Sequence, residues 1–346
     1  MVLKMGMLAP VAWRTPPEHY GPWERVTSLL TEGLVRRGVE VTLFATANSV
    51  TDAVLDAVVP HGYEADASMD GRVWEALHVA HAMARSEEFD IVHNQVDWLP
   101  LAFSAQWRAP MVTTVHGFSG AAILPAYRAS SSAFVSISDS DRSPDLTYAA
   151  TVHHGVDAAE LPLVASPDDY LVSFGRIHPD KGTARAIEIA RRAGRRLMIC
   201  GIVHDREYFA SEVEPHIDGD RVVFRGSVGS AERAQVLGNA TALLHPIAFD
   251  EPFGLSVVEA MMCGTPVIAY RRGSMREVID EGVTGRTVTT LDQAVAAVEK
   301  VAMLDRRDVH ERAVARFGVE RMVEDYLQVY DQVLGRGAGS VHRRPE

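Results

Sequence analysis

Short apolar runs alternate with stretches of helical spacing along the 346-residue chain. Residues 3–9 form an apolar run that predicts a first strand. Residues 22–37 place Trp23, Val26, Leu29, Leu30 and Leu34 at the spacing of one helix face. Pro22 suits a first helical position, whose N–H has no partner in any case, and Gly38 ends the helix. V-T-L-F-A, D-I-V-H-N, M-V-T-T-V, F-V-S-I-S and A-T-V-H-H follow as further strands. Residues 158–169 carry prolines and acids without periodicity and predict a linker. Beyond it Y-L-V-S-F-G, R-L-M-I-C-G, V-V-F-R-G, A-L-L-H-P and P-V-I-A-Y repeat the pattern of strands separated by helices. Glu320 to Leu334 closes the sequence with a helix whose stripe holds Met322, Val323, Tyr326, Leu327, Tyr330 and Val333. Such alternation predicts an α/β fold of two doubly wound halves, with sites beyond the carboxyl ends of the strands.

Composition narrows the classes. A chain of 346 residues is comfortable for two domains, and 47% hydrophobic with 23% charged residues is ordinary for a globular protein. The formal net charge of −12 argues against nucleic acid and anionic membranes as partners. No apolar stretch approaches a membrane span, and the opening residues read as a strand, so a cytoplasmic location is expected. Cys200 and Cys263 each lie in apolar runs and predict buried side chains rather than a disulfide. The basic 340–346 tail reads as disordered.

The most informative stretch is E-P-F-G-L-S-V-V-E at 251–259, which leads into A-M-M-C-G-T-P-V-I-A. Gly254 precedes an apolar helix start, whose free N–H groups and partial positive charge suit a phosphate. Glu259 lies one turn beyond Leu255. Taken singly, either glutamate reads as a surface residue. Glu259, however, sits in an otherwise apolar helix, where an ionised group is costly without a partner. Carboxylates accept hydrogen bonds from vicinal hydroxyls, so one turn is suited to a diphosphate between two sugars. Arg176 and Lys181 bracket R-I-H-P-D-K-G after a strand, a metal-free clamp for the same diphosphate. Asp139-Ser140-Asp141 has metal-motif spacing but reads as a loop cap, and His153-His154 lacks tetrahedral partners. No Walker loop or G-x-G-x-x-G occurs, which disfavours kinases and dinucleotide dehydrogenases.

These motifs resemble glycosyltransferase family 4, whose hallmark is two glutamates with seven residues between them within E-x-F-G-x-x-x-x-E-A-x-A-x-G-x-P-V-I-A. Met262 stands where a small residue is commoner. The resemblance extends to Y-G-P-W-E-R-V, V-T-T-V-H-G-F at 112–118, V-H-H-G-V-D at 152–157, F-G-R-I-H-P-D-K-G at 174–182 and R-G-S-M-R-E-V-I at 272–279. It implies a GT-B fold, two Rossmann-like doubly wound domains facing across a cleft. Residues 1–160 are then an acceptor-binding domain, joined by a crossover helix at 319–335, and residues 168–318 a nucleotide-sugar-binding domain. The resemblance assigns Arg176 and Lys181 to the donor phosphates and Glu259 to the ribose hydroxyls. Glu251, with the backbone of Phe253, Gly254 and Leu255, faces the transferred sugar and the phosphates. The turn containing Gly226, Ser227 and Val228 falls where the base sits.

His116, at a strand end before Gly117, is expected to project into the cleft, and the resemblance makes it a polar contact to the transferred sugar. The family commonly has Y-G-G-x-E where this chain has Tyr20, Gly21 and Pro22, so one backbone donor is lost and Gly21 remains to approach the donor phosphate or the acceptor. Glu24 reads as a first-turn helix residue, and no role falls to His154. Trp13, His19, Tyr20, Trp98 and Tyr127 are candidate acceptor contacts. The expected activity is retaining, metal-independent transfer of a hexose, glucose from UDP on resemblance, to a small-molecule acceptor. The nucleotide-sugar is a substrate, and no cofactor or metal is expected. A GT-B sugar phosphorylase and a non-catalytic nucleotide-sugar sensor are the rival readings.

Overall fold

The structure, a computed structural model, describes residues 2–18, 21–117 and 120–336. His19, Tyr20, Phe118 and the 340–346 tail lie outside the described residues. The chain divides into two compact units, residues 1–155 with 319–346, and residues 156–318.

The first unit runs β1 (Lys4–Leu8), α1 (Pro22–Arg36), β2 (Glu40–Thr46), β3 (Val54–Val59), α2 (Gly71–Ala84), β4 (Ile91–Asn94), β5 (Met111–Val115), α3 (Leu124–Ala129), β6 (Ala133–Ser136) and β7 (Tyr148–Thr151). Its seven strands are all parallel, in the order β3-β2-β1-β4-β5-β6-β7. Met5 pairs with Val41 on one side and Ile91 on the other. Helices cover both faces of such a sheet, which is why β1, β4 and β5 read as continuous apolar runs rather than alternating ones. The chain order reverses between β1 and β4, so crossovers to left and right leave a crevice at the carboxyl ends there.

The second unit runs β8 (Tyr170–Phe174), α4 (Thr183–Arg192), β9 (Arg196–Cys200), α5 (Arg206–Tyr208), β10 (Val222–Gly226), α6 (Ser230–Gly238), β11 (Ala242–His245), α7 (Leu255–Met262), β12 (Val267–Tyr270), α8 (Met275–Val278), β13 (Gly285–Val288), α9 (Leu291–Val301) and α10 (Arg306–Phe317). Its six parallel strands follow the order β10-β9-β8-β11-β12-β13, with the reversal between β8 and β11. Each unit is thus a Rossmann-like layer. The sequence reading passed over β3, α2 and β13, and its strand at 150–154 lies at 148–151.

The final helix, α11 (Val319–Val333), belongs to the first unit. Its apolar stripe is buried, and it crosses α1 closely at Gly33, where a Cβ would stand 2.3 Å from Val323 Cγ2. Two tyrosines carry hydroxyls into the core and satisfy them there. Tyr326 meets Thr114 Oγ1 at 2.6 Å, and Tyr330 meets His93 Nδ1 at 2.7 Å.

At the start of α1, Gly21 is the N-cap with φ 152°, followed by Pro22 at the first helical position. A Cβ at residue 21 would lie 2.8 Å from Pro17 Cβ and 2.9 Å from Glu24 Oε2, so the turn requires glycine. Glu24 folds back in the first turn and accepts the Trp13 N–H at 3.2 Å. It is only 3% exposed, and burial lifts its pKa to about 7 against the lowering effect of two backbone N–H groups. A carboxyl held protonated in the folded chain makes stability fall as pH rises from about 4.5, where the unfolded group ionises, to about 7. The loss amounts to roughly 3 kcal/mol over that window. Glu24→Gln, which keeps the acceptor for Trp13, is expected to abolish this slope. Urea unfolding of both proteins across pH 4–8 checks it, and parallel stability curves would refute it.

Candidate functional site

The reversal in the second unit brings together the loops that follow β8 and β11. After β8 the chain passes Gly175 and Arg176 and turns once through Pro179–Lys181. Gly182, at φ 72°, sits so close to the β11 loop that a Cβ would lie 2.2 Å from the Pro246 carbonyl oxygen. The Ala248 N–H donates to the Asp180 carbonyl at 2.7 Å, joining the two loops. Lys181 Nζ thereby reaches Glu251 Oε2 at 2.6 Å and stands 4.8 Å from the centre of the Phe249 ring. His245 Nε2, from the end of β11, lies 3.3 Å from the same carboxylate oxygen.

Burial alone would raise the Glu251 pKa, but the contacts with His245 and Lys181 outweigh it and hold the carboxyl near 2. Burial pushes His245 the other way, below the ordinary histidine range. Glu251 is therefore ionised at neutral pH and can only accept hydrogen bonds.

Glu251 leads into the N-terminus of α7, where Gly254 is the cap at φ 90°. The first N–H groups of that helix have no intrahelical partner. A second turn braces this loop from outside. Ser274 donates its N–H to the Glu251 carbonyl and its Oγ–H to the Phe253 carbonyl, both at 2.9 Å. Gly273 N–H donates to Asp250 Oδ1 at 3.1 Å. R-G-S-M, to which the sequence argument gave no place in the site, is thus the bracket behind E-P-F-G.

Glu259, one turn into α7, is 7% exposed, and its Oε1 receives Arg233 Nη1 at 2.8 Å. Arg233 lies on α6 and packs 6.0 Å from the Phe174 ring centre. Sequence reasoning missed Arg233. The signal was the demand that a carboxylate in an apolar helix find a cation, but spacing does not say which one.

Arg176 is half-buried and, among the described residues, has no hydrogen bond or ion pair. Gly226, at φ 72°, ends the edge strand β10, with Ser227 exposed and Val228 buried. Residues 226–228, 176–181 and 251–259 thus follow strands β10, β8 and β11 along one carboxyl edge of the sheet. Lys181 meets Glu251 within this row, whereas Arg176 has no polar partner among the described residues.

Gly21 and His116 belong to the first unit. His116 follows β5 and is 8% exposed. Its Nε2 contacts Gln95 Oε1 at 2.6 Å, its Nδ1 faces His154 Nε2 at 3.4 Å, and Trp23 stacks on its ring at 5.0 Å. Burial drops its pKa to about 3, so the imidazole is neutral. His154, given no role in the sequence, is its neighbour. Tyr127 is buried, with its hydroxyl donating to Asp97, and does not present an exposed acceptor contact, whereas Trp98 is 42% exposed. Asp139 accepts the Thr151 hydroxyl, and the Asp141 N–H donates to Ser138 Oγ. Among the described residues no group of three or more His, Cys, Asp or Glu is arranged to hold a metal. No helix among them is long and apolar enough to cross a membrane.

Two family models match, Glycosyltransferase Family 4 over residues 23–159 and Glycosyl transferases group 1 over residues 162–314. The chain belongs to glycosyltransferase family 4. This glycosyltransferase is 26% identical to glycogen synthase of Mycobacterium tuberculosis, over 91% of this chain and 90% of that protein. It is 25% identical to D-inositol 3-phosphate glycosyltransferase of Mycobacterium marinum, over 87% and 79% of the two chains. Among solved structures, AviGT4, a glycosyltransferase involved in avilamycin A biosynthesis, superposes with a TM-score of 0.76 at 24% identity, covering 97% of this chain and 99% of that one. Anabaena Alr3699/HepE in complex with UDP-glucose does so at 0.69 and 18% identity, covering 95% and 100%. The fold is GT-B, built from the two Rossmann-like units described above.

The bracket behind the Glu251 loop has a measurable consequence. A Cβ on Gly273 (φ 52°) would stand 2.3 Å from the Glu251 oxygen and 2.4 Å from its nitrogen. Gly273→Ala must therefore displace residues 250–254, and kcat/KM for sugar transfer is expected to fall by roughly 10²-fold in a protein that remains folded by circular dichroism. A folded variant with parental kcat/KM would show that the loop's position is immaterial.

Proposed function

We propose that this glycosyltransferase moves a glucosyl group from UDP-glucose to a small-molecule acceptor with retention of configuration and without a metal ion. The observation that carries the reading is the row of groups along the second sheet's carboxyl edge. It holds Arg176, without a polar partner among the described residues, a lysine–glutamate pair, a helix tip and a second paired glutamate in succession. UDP-glucose is the ligand of a neighbour of the same fold, and a relative carries a small phosphorylated inositol in its name, D-inositol 3-phosphate glycosyltransferase.

In this reading Arg176, Lys181 and the backbone of Phe253, Gly254 and Leu255 bind the diphosphate and neutralise charge growing on the leaving group. Lys181 has three donors, so it serves a phosphate oxygen while still holding Glu251. Glu251, permanently ionised, accepts from hydroxyls of the transferred sugar. Glu259, oriented by Arg233, reads the ribose, and the backbone of Gly226, Ser227 and Val228 meets the base. The first unit binds the acceptor, with Gly21 at the donor phosphate or acceptor and His116 as a polar contact to the sugar.

The C1–O bond to the β-phosphate breaks, and the acceptor oxygen bonds to C1 from the same face. Its proton passes to the departing phosphate, whose pKa near 6 suits the task. Glu251 near 2 and His116 near 3 are too weak as bases to compete at neutral pH. The free, buried thiols of Cys200 and Cys263 accord with work in the reducing cytoplasm.

Assays with UDP-glucose and other nucleotide-sugars, small acceptors and glycogen test this, with chelator present and the product anomer read by NMR. Turnover from UDP-glucose with an α-linked product is expected. Lys181→Ala and Glu259→Ala should each lower kcat/KM by roughly 10²–10³-fold while remaining folded. Parental turnover in a folded double variant would refute the site. Binding of phosphate plus disaccharide without nucleotide would replace the reading with a phosphorylase, and an inverted product would overturn retention.

A further inference from the structure

The groups around His116 form a continuous buried network inside the first unit, and the proposed reaction leaves most of it unexplained. Gln95 follows β4 directly, is completely buried, and stands at its centre. Its Oε1 is 2.6 Å from His116 Nε2, and its Nε2 is 3.1 Å from His93 Nε2. The second amide hydrogen is directed at Met7 Sδ, 4.0 Å away. Sulfur accepts and does not donate here, so the nitrogen end of the amide belongs on the Met7 and His93 side.

That orientation settles the protons. A carbonyl oxygen only accepts, so His116 must carry its proton on Nε2. His93 Nε2, receiving the amide and Thr114 Oγ1 at 2.8 Å, is the unprotonated nitrogen, and His93 Nδ1–H donates to Tyr330. Tyr326 in turn donates to Thr114. Donation runs from His116 through Gln95 on one side and from Tyr326 through Thr114 on the other, and both ends meet at His93 Nε2. Burial holds His93 and His116 near 3 and His154 well below its ordinary range, so the three rings are neutral and the pattern does not scramble by protonation.

We propose that Gln95 is a positioning residue that locks His116 as the Nε2–H tautomer, leaving Nδ1 as the nitrogen that accepts a hydrogen from a hydroxyl of the transferred sugar. The first half is a property of the folded chain. The second rests on the proposed role of His116 at the sugar. The Nδ1 contact with His154, at 3.4 Å, is the longest in the network between nitrogen or oxygen atoms and the one a hydroxyl at ordinary hydrogen-bond distance would supersede. Trp23, stacked at an interplanar angle of 17°, fixes the plane of the ring while Gln95 fixes its protonation. An imidazole in the wrong tautomer would face the hydroxyl with an N–H, and the pairing would be lost.

Two variants separate this from a packing role. Gln95→Met fills the same space and removes the carbonyl. Gln95→Glu keeps an acceptor on His116 Nε2. Imidazole ¹⁵N NMR of the ligand-free protein, with His116 assigned by its own substitution, is expected to show Nε2–H in the parent and in Gln95→Glu. In Gln95→Met the Nδ1–H form should appear. With UDP-glucose, kcat of Gln95→Met should fall at least about tenfold with donor KM near parental, and Gln95→Glu should recover much of the loss.

Nδ1–H in the parent would overturn the proposal, as would a Gln95→Met protein whose tautomer and kcat are both unchanged. A shifted tautomer with unchanged kcat would confine Gln95 to structure and overturn its place in the reaction. A parent that transfers no sugar would instead refute the proposed function, while the ligand-free spectra still decide the tautomer.

Discussion

An ionised carboxylate buried among apolar side chains has to be met by a cation, and the second unit is arranged around that constraint. Glu251 and Glu259 both lie on or beside α7, in surroundings that penalise charge, and neither is left alone. Lys181 comes from the loop after β8, and Arg233 from α6. Each pair therefore ties together elements distant in sequence, over 70 residues for Lys181 and 26 for Arg233. Removing one partner of such a pair leaves an uncompensated charge, which costs more than the pair itself contributes. The ligand groups and the fold of the loops are consequently hard to separate: what orients the carboxylates also holds the strand ends together.

Much of this was legible in the chain, and the reasons are specific. E-P-F-G before an apolar helix identifies a helix tip because glycine and the following apolar spacing are local signals. The expectation that Glu259 needs a cation follows from its neighbours in the same helix. The identity of that cation does not, because Arg233 is brought in by the packing of α6 and not by any motif. Nor does the Lys181–Glu251 pair, since two cations at one turn read equally well as a clamp with no carboxylate involved. β3 was passed over because V-L-D-A-V-V breaks its apolar run with Asp56, which the structure explains by pairing it with His81 of α2 and Arg85 just beyond that helix. β13, G-R-T-V, owes its strand character to pairing with β12 rather than to any alternation of its own. Tyr127 looked like a contact residue because aromatic side chains in loops often are. Its burial against Phe134 depends on how α3 packs, which the local sequence does not state.

The two units answer the same cost of burial in opposite ways. The second pairs Glu251 and Glu259 with cations, whereas the first strips charge from His93, His116 and His154 and links neutral rings through amide and hydroxyl groups. Both routes lead to groups whose protonation is insensitive to pH near neutrality, Glu251 as a fixed anion and His116 as a fixed neutral ring. Such groups orient and stabilise, but they are poor carriers of a proton, since efficient transfer needs a pKa close to the working pH. Glu24 does titrate near neutrality, yet one of its oxygens is engaged by the Trp13 N–H and the other is turned onto Gly21, so its proton is tied to the stability of α1. In the proposed reaction, the proton released when an acceptor hydroxyl attacks therefore has its best-matched receiver in the substrate. In that proposed reaction the departing phosphate gains basicity as the bond to C1 breaks, and Arg176 and Lys181 are the groups proposed to temper that gain. Glu251 as a fixed anion and His116 as a fixed neutral ring suit the proposed reaction, in which the leaving group takes the proton itself.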